Sequence, residues 1–277
     1  MRAVVLDAHG QPQLADLTVP EPSVEVLACG LCGSDVEKIG SAPPGTVLGH
    51  EVVVRTAAGR HALVHHRPCG ACPRCSAGRE STCERFAEPT IIPGGLAERV
   101  LETEGVVVPD GLDDARATMV EPLACVLRGA ERVPRGRVLV VGNGFVGRLF
   151  TAVLERRGDE VFAIDADPRR AGRAPDGTVD AAVVCANGGG GAALEAVEPG
   201  GTVLVFADAG ALPAEPVYRN ELTVVGSRSA TPEAMFVAAS LLLELELPEP
   251  LVLPLDRFAE GLDLFLRRET LKVVFVP

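Results

Sequence analysis

The sequence is almost without lysine: Lys38 and Lys272 are the only two, and the rest of its 26 basic residues are arginine. That bias reads as the codon usage of a GC-rich genome and points to no function. Nor is there an excess of positive charge. The formal net charge is −12, which excludes an extended nucleic-acid surface or an anionic-membrane surface. Long apolar runs are missing too, since the longest, Met235–Leu243, is far too short to span a bilayer. The amino terminus, MRAVVLDAHGQPQ, turns polar after six residues and carries no apolar core or small-residue cleavage site. A cytoplasmic protein is expected. No internal repeat or heptad period is present, which excludes a solenoid or a fibre.

What is present fits a soluble globular chain. Of its 277 residues 47% are apolar and 23% charged, enough for one large domain or two modest ones with a real core. Thirty glycines and 22 prolines predict many turns. Eight cysteines stand out, four of them between positions 69 and 83. In a reducing compartment such clusters more often bind metal than form disulfides.

The first third predicts short strands at Ala3–Leu6, Val24–Ala28, Glu51–Val54, Ala62–Val64, Ala97–Leu101 and Gly105–Val108, broken by Gly and Pro. That spacing suggests a small barrel. A helix follows Asp113, with Ala115, Met119, Leu123 and Val126 on one face. From Arg137 the texture changes. Strands at Val138–Val141, Val161–Ile164, Ala181–Cys185, Thr202–Phe206 and Leu222–Val225 alternate with helical stretches such as Val146–Arg157, as parallel βαβ units do. A helix over Pro232–Glu244, another around Ala259–Arg268 and a final strand Leu271–Val276 complete the chain. The tail resembles the first third and is expected to pack back on it.

Cys69, Cys72, Cys75 and Cys83 form a Cys-x2-Cys-x2-Cys-x7-Cys pattern. Four thiolates on a Pro/Gly-rich loop can close a tetrahedral shell around zinc, leaving no open position, so such a site is structural. An iron–sulfur cluster is the alternative. Elsewhere Gly30-Leu-Cys32-Gly-Ser-Asp35 and Gly49-His50-Glu51 offer Cys32, His50 and a carboxylate, a mixed shell with an open position. Residue types and spacing alone do not decide that second site.

Gly142-Asn-Gly144-Phe145-Val146-Gly147 follows a hydrophobic strand and opens a helix. Its glycines permit a tight turn and close approach of a pyrophosphate at the helix N-terminus. Asp165, ending the next strand, would accept from the adenosine ribose hydroxyls and repel a 2′-phosphate, favouring NAD over NADP. Arg169 and Arg170 temper that preference, because a nearby arginine accommodates the phosphate.

Together and in this order these motifs, with Glu121-Pro-Leu, resemble the zinc-dependent medium-chain dehydrogenase/reductase family nearly end to end. Glu121-Pro-Leu points to its polyol, sugar and amino-alcohol branch. The resemblance implies an α/β fold: a GroES-like β-barrel catalytic domain at 1–122 and 246–277, and a Rossmann NAD-binding domain at 123–245. It implies two zinc ions per chain, a small-molecule alcohol or ketone substrate, and a homodimer or homotetramer, with no nucleic-acid or membrane partner. Cys32, His50, Glu51 and Glu121 become candidates for the catalytic zinc, with Glu51 or Glu121 as alternate ligand. Ser34 matches the hydroxyl that relays the substrate proton, Asp35 the acid that orients the histidine, and Arg170 a basic residue near the adenosine. Arg228 falls in a segment that borders the active site in the family.

Two departures stand out. Glu37 occupies a position where many relatives carry a histidine, while His65 and His66 read as loop residues. The chain is also short between Asp165 and Cys185, which predicts loss of the third, edge strand and about five strands in the parallel sheet. The readings that follow are a zinc- and NAD-dependent dehydrogenase of a secondary alcohol, a threonine-like substrate with Arg228 as its cation, a degenerate member binding zinc or cofactor without turnover, and a zinc-free reductase. The full Cys/His/Glu set argues against the last. Cys29, Cys125 and Cys185 are expected as core thiols.

Overall fold

The computed structural model describes residues 1–277. Its elements in the amino-terminal part are β1 (Arg2–Leu6), β2 (Pro12–Asp16), β3 (Ser23–Gly30), α1 (Gly33–Lys38), β4 (Glu51–Thr56), β5 (Gly59–Leu63), α2 (Pro73–Ser76), β6 (Arg99–Leu101) and β7 (Gly105–Val107). Next come α3 (Asp114–Ala117), α4 (Val120–Ala130), β8 (Arg137–Val141), α5 (Phe145–Arg157), β9 (Glu160–Ile164), β10 (Val179–Val184), α6 (Gly190–Ala196), β11 (Val197–Val205), α7 (Ala214–Arg219) and β12 (Thr223–Gly226). The chain ends in α8 (Pro232–Leu241), β13 (Leu251–Pro254), α9 (Phe258–Leu266) and β14 (Val273–Val276). No helix is long and apolar enough to cross a membrane.

The chain divides into two compact units. The first holds Met1–Pro122, Ala230–Glu244 and Pro248–Pro277; the second holds Leu123–Ser229 and Leu245–Leu247. This differs from the sequence-based span 123–245 at Ala230–Glu244, because α8 packs against β7 of the first unit.

In the first unit the strands run β13-β14-β3-β4-β5-β7, with β6 also on β3 and β1–β2 as a separate antiparallel pair. Val24, Val26, Val52, Val54, Leu63 and Phe275 point into one apolar core, and Glu25, between two of them, is exposed. The tail does return: β14 pairs with β3 so that Val274 opposes Gly30 and Phe275 opposes Cys29. The helix expected after Asp113 is broken in two. Pro122 has no N–H for the Thr118 carbonyl, so α3 stops and α4 restarts with the proline in its first turn.

In the second unit β8 is an interior strand and its Val138–Val141 run is buried, as a parallel strand covered on both faces requires. The parallel order is β12-β11-β10-β8-β9: five strands, as the short stretch after Asp165 predicts. Without a third strand β9 becomes an edge, and edges are kept from pairing with other chains by covering or charging them. Here a strap does both. The Ala163 N–H donates to Arg173 O at 2.9 Å, and the Gly172 N–H to Ala163 O at 3.1 Å. The Arg173 guanidinium lies 4.2 Å from the Phe162 ring centre and bonds Glu160 at 2.8 Å. Arg173→Ala removes both side-chain contacts, and the expected loss is about 0.5–1 kcal/mol in urea unfolding, since the ion pair is exposed. An unchanged midpoint would show that the two backbone bonds hold the strap alone.

Candidate active site

Antiparallel pairing explains how residues 18 apart in sequence meet. Gly30 at the end of β3 opposes Glu51 at the start of β4, so Cys32 and His50, just beyond those partners, converge. The sulfur, an imidazole nitrogen and a carboxylate oxygen of Cys32, His50 and Glu51 lie within 4.8 Å of one another. His50 and Glu51 are buried and Cys32 is half-buried. Gly49, at φ +93°, makes the turn possible: a Cβ there would sit 2.6 Å from Leu96 N and 2.7 Å from Cys29 Sγ.

Asp35 underpins this cluster from the first turn of α1. Its carboxylate is fully buried and accepts from the Gly49 N–H (3.0 Å) and the Cys32 N–H (3.3 Å), facing His50 Nδ1 at 3.3 Å and Lys38 Nζ at 3.4 Å. Burial alone raises its proton affinity; the His50 charge and hydrogen bond, then Lys38 and the Gly49 N–H, outweigh that and hold it well below the usual carboxylate range. An ionised carboxylate only accepts, so Nδ1 carries the proton and Nε2 is left as the ligand atom. For His50 the balance is reversed. Burial lowers its basicity, but the charges of Asp35 and Cys32 win and raise it well above its ordinary value. The cluster therefore favours positive charge at the imidazole, and its imidazole, sulfur and carboxylate donors are the set that zinc takes.

The other expected residues fall as follows. Ser34 is exposed, and its hydroxyl donates to Cys32 Sγ at 3.4 Å. Glu121 is buried in the first turn of α4 and is not one of the three clustered donors. Glu37 is exposed on α1, and Arg228 is exposed in the second unit. Cys29 is buried as expected; Cys125 and Cys185 are only half-buried.

Two features escaped the sequence reading. His65 is in a loop, but its ring centre lies 4.4 Å from that of His50 and 4.0 Å from that of His66, which stacks on Phe86 at 3.6 Å. Burial, then the His50 charge, lowers His65 to about 2, so it stays neutral. The second feature is Lys272, buried and paired with the Glu51 carboxylate. Its rarity in a chain of arginines was the available signal, and the codon-usage reading passed over it.

The four-cysteine loop forms a second cluster, with all sulfurs within 4.8 Å of one another and Cys69 Sγ 4.0 Å from Cys75 Sγ. Zinc–sulfur bonds of about 2.3 Å put tetrahedral sulfurs about 3.8 Å apart, so the spacing fits. Backbone N–H groups already point at the sulfurs: Cys72 N–H at Cys69 (3.3 Å), Cys69 N–H at Cys83 (3.4 Å) and Cys75 N–H at Cys72 (3.5 Å). N–H groups of Glu84 and Cys75 lower the Cys72 thiol to about 6, which favours the ligating form.

In the second unit Gly142 leaves β8 at φ +99°, where a Cβ would lie 2.5 Å from that of Ala186. Gly144 stands before α5 with no side-chain cap, and Phe145 and Val146 form the first turn, so its N–H groups remain open to an anion. Asp165 accepts from the Asn143 N–H and the Asp167 N–H, both at 2.8 Å. Arg170 Nη1 lies 3.6 Å from the position a Gly144 side chain would take, whereas Arg169 bonds Asp167 at 2.7 Å. This cradle fits a dinucleotide pyrophosphate, because the first N–H groups of α5 are uncapped and a Cβ at Gly144 would meet nothing but the Arg170 guanidinium.

Residues 21–111 match the family model of the alcohol dehydrogenase GroES-like domain. The chain is 29% identical to L-galactonate-5-dehydrogenase of Escherichia coli (strain K12) over 54% of its own length and only 50% of that relative's. It is 26% identical to sorbitol dehydrogenase of Halalkalibacterium halodurans, covering 88% of this chain and 89% of the relative. The solved structure of alcohol dehydrogenase TADH from Thermus sp. ATN1 superposes with a TM-score of 0.80 at 25% identity, covering all of both chains. With its two donor clusters, its glycine cradle and these likenesses, the chain carries an alcohol dehydrogenase GroES-like domain at 21–111 and is similar to the zinc-dependent medium-chain dehydrogenases along nearly its whole length.

Proposed function

We propose that this protein is an oxidoreductase that moves a hydride between a secondary alcohol of a polyol, cyclitol, sugar or amino alcohol and NAD. The carrying observation is the Cys32–His50–Glu51 donor cluster with Asp35 behind it. Relatives named for galactonate and sorbitol support the polyol class. We assign the catalytic role to the unit that holds Met1–Pro122 and cofactor binding to the unit that holds Leu123–Ser229.

Cys32 and His50, with Glu51 or Glu121, would hold a catalytic zinc, and Cys69, Cys72, Cys75 and Cys83 a structural one. When bound, zinc supplies Lewis acidity toward an alcohol oxygen and the nicotinamide supplies a hydride acceptor. The chain's own residues do the rest. Asp35 fixes the His50 tautomer through Nδ1. The Ser34 hydroxyl, exposed beside Cys32, relays the alcohol's proton: Oγ accepts it while the serine's own hydroxyl proton passes to solvent. Gly142, Gly144 and Gly147 admit the pyrophosphate, with Phe145, Val146 and Arg170 around it. Asp165 favours NAD, since a 2′-phosphate brought to it meets negative charge while Arg169 is engaged by Asp167.

The test pairs zinc stoichiometry with a spectrophotometric screen of polyols and cyclitols using NAD and NADP. Two zincs per chain and NAD-linked turnover are expected. One zinc and no turnover would overturn the proposal in favour of a member that binds without catalysis.

A further inference from the structure

One side chain, that of Asn143, joins the glycine turn to the strap over β9. Its backbone N–H donates to the Asp165 carboxylate at 2.8 Å, and its side-chain nitrogen donates to the Arg170 carbonyl at 2.6 Å. A carbonyl only accepts, so the amide nitrogen and not the amide oxygen faces it. Asn143 is 6% exposed, and a buried amide without this acceptor would be left unsatisfied. The turn itself needs glycines at 142 and 144 and no particular side chain between them. The amide therefore serves the strap.

The strap is held at Arg170 from two directions. The Arg170 N–H donates to Asp167 O at 2.9 Å, while its carbonyl accepts from Asn143. Two residues on, a Cβ on Gly172 would lie 3.1 Å from that of Ala163 and 3.6 Å from Asn143 Nδ2, so the strap runs close between β9 and the turn. From this anchored backbone the Arg170 guanidinium reaches the cradle. Chain neighbours apart, its Nη1 is the only atom within 4 Å of a Cβ added to Gly144, at 3.6 Å. A third strand beside β9 would fix this stretch by a ladder of backbone bonds. Here the hold falls to the two bonds with Ala163 and the Asn143 amide.

We propose that Asn143 is a positioning residue for the cofactor, fixing the strap so that Arg170 meets the pyrophosphate over Gly144 and not a 2′-phosphate beside Asp165. The proposal rests on the dinucleotide reading above. A guanidinium binds phosphate oxygens as a planar fork, which gains most when it is already aimed. Held in advance, it also gives up less rotamer freedom when the ligand arrives. The uncapped N–H groups of α5 face the same phosphates from the glycine side, so Arg170 completes a clamp.

The test is a double-mutant cycle on the full chain, read by fluorescence titration with NADH and NADPH and by competition with ADP. Asn143→Ala should weaken NADH and ADP binding roughly tenfold and Arg170→Ala at least as much, the scale of a charge-assisted hydrogen bond. In the Arg170→Ala background, Asn143→Ala should cost less than about twofold, because the two act as one device. A residue that only stabilised the unit would cost the same in both backgrounds. The ratio of NADPH to NADH affinity should hold within about twofold in every variant, since both carry the same pyrophosphate. Asn143→Leu, of similar size and without a donor, repeats the measurement if Asn143→Ala does not fold. Additive losses, or wild-type affinity in the Asn143 variants, would overturn the proposal and leave the dinucleotide reading intact. So would a loss of NADPH binding alone in Arg170→Ala, which would place the guanidinium on the 2′-phosphate. Wild-type protein that binds neither NADH nor ADP would overturn both.

Discussion

Asp35→Asn is expected to lower metal affinity at the Cys32–His50 site roughly 10–100-fold, with a matching loss of turnover, although Asp35 itself touches no metal. Asparagine keeps the shape and removes the charge. The amide nitrogen then faces a donor, either the Cys32 N–H at the Oδ2 position or the Gly49 N–H and His50 Nδ1–H together at the Oδ1 position, where the wild-type carboxylate accepted all three. His50 can turn over its tautomer and present the wrong nitrogen. Because Asp35 is wholly buried beside a charged partner, the metal-free fold should also lose about 3–5 kcal/mol, the usual cost of breaking one side of a buried pair.

The sign of the pH dependence follows from the shifts. Asp35 has its folded-state pKa depressed, so its stabilisation is present above its unfolded value near ~3.9 and fades as pH falls through the lower folded value. His50 has its pKa raised, so in the metal-free protein its contribution is full below ~6.5 and fades as pH rises through the higher folded value. Metal-free wild type should therefore gain most over Asp35→Asn between about pH 4 and 6.5. Urea midpoints of both proteins across pH 3–9 check this, and two parallel curves would sink it. Metal content by competition with a chelator checks the affinity.

How far this site could be read beforehand depends on sequence distance. The four-cysteine loop and the glycine cradle are local: each lies within a stretch whose spacing carries its own geometry. Five strands in the parallel sheet were legible because the 19 residues between Asp165 and Cys185 cannot hold two helices and a strand. Cys32 and His50 became a pair only through family resemblance, since their meeting requires the Gly30–Glu51 register. Lys272 lies 221 residues from Glu51, and only the return of β14 onto β3 joins them. His65 was placed in its loop, but nothing in the pattern says that a loop side chain will turn inward onto His50. The break between α3 and α4 was missed for a local reason: the apolar spacing suggested continuity and hid the missing N–H of Pro122.

Gly147→Ala should disable the second unit, and the reason runs against helix propensity. Gly147 lies in the first turn of α5, where alanine ordinarily stabilises by about 1 kcal/mol over glycine. Here its Cβ would lie 2.0 Å from Gly142 O and 3.0 Å from Gly142 C. Those are backbone atoms, fixed in place by the Gly142 N–H bond to Ile164 O at 2.8 Å and by Ala186 packed against the same residue. No rotamer relieves the clash. Either α5 moves off β8 or the glycine turn opens, and both widen the cradle that would hold the pyrophosphate. A loss of about 3 kcal/mol or more is expected, of the size that core overpacking reaches, together with loss of dinucleotide binding. Gly191 supplies the contrast. It lies in α6 with nothing within 4 Å of its added Cβ, so Gly191→Ala should leave binding intact and raise stability by about 0.5–1 kcal/mol. Both metal clusters lie in the first unit, so neither change should alter zinc content. Dinucleotide titration, thermal unfolding and zinc analysis on the two variants separate these outcomes. Equal stability of Gly147→Ala and Gly191→Ala would mean that the close approach of α5 to the glycine turn does not govern this unit.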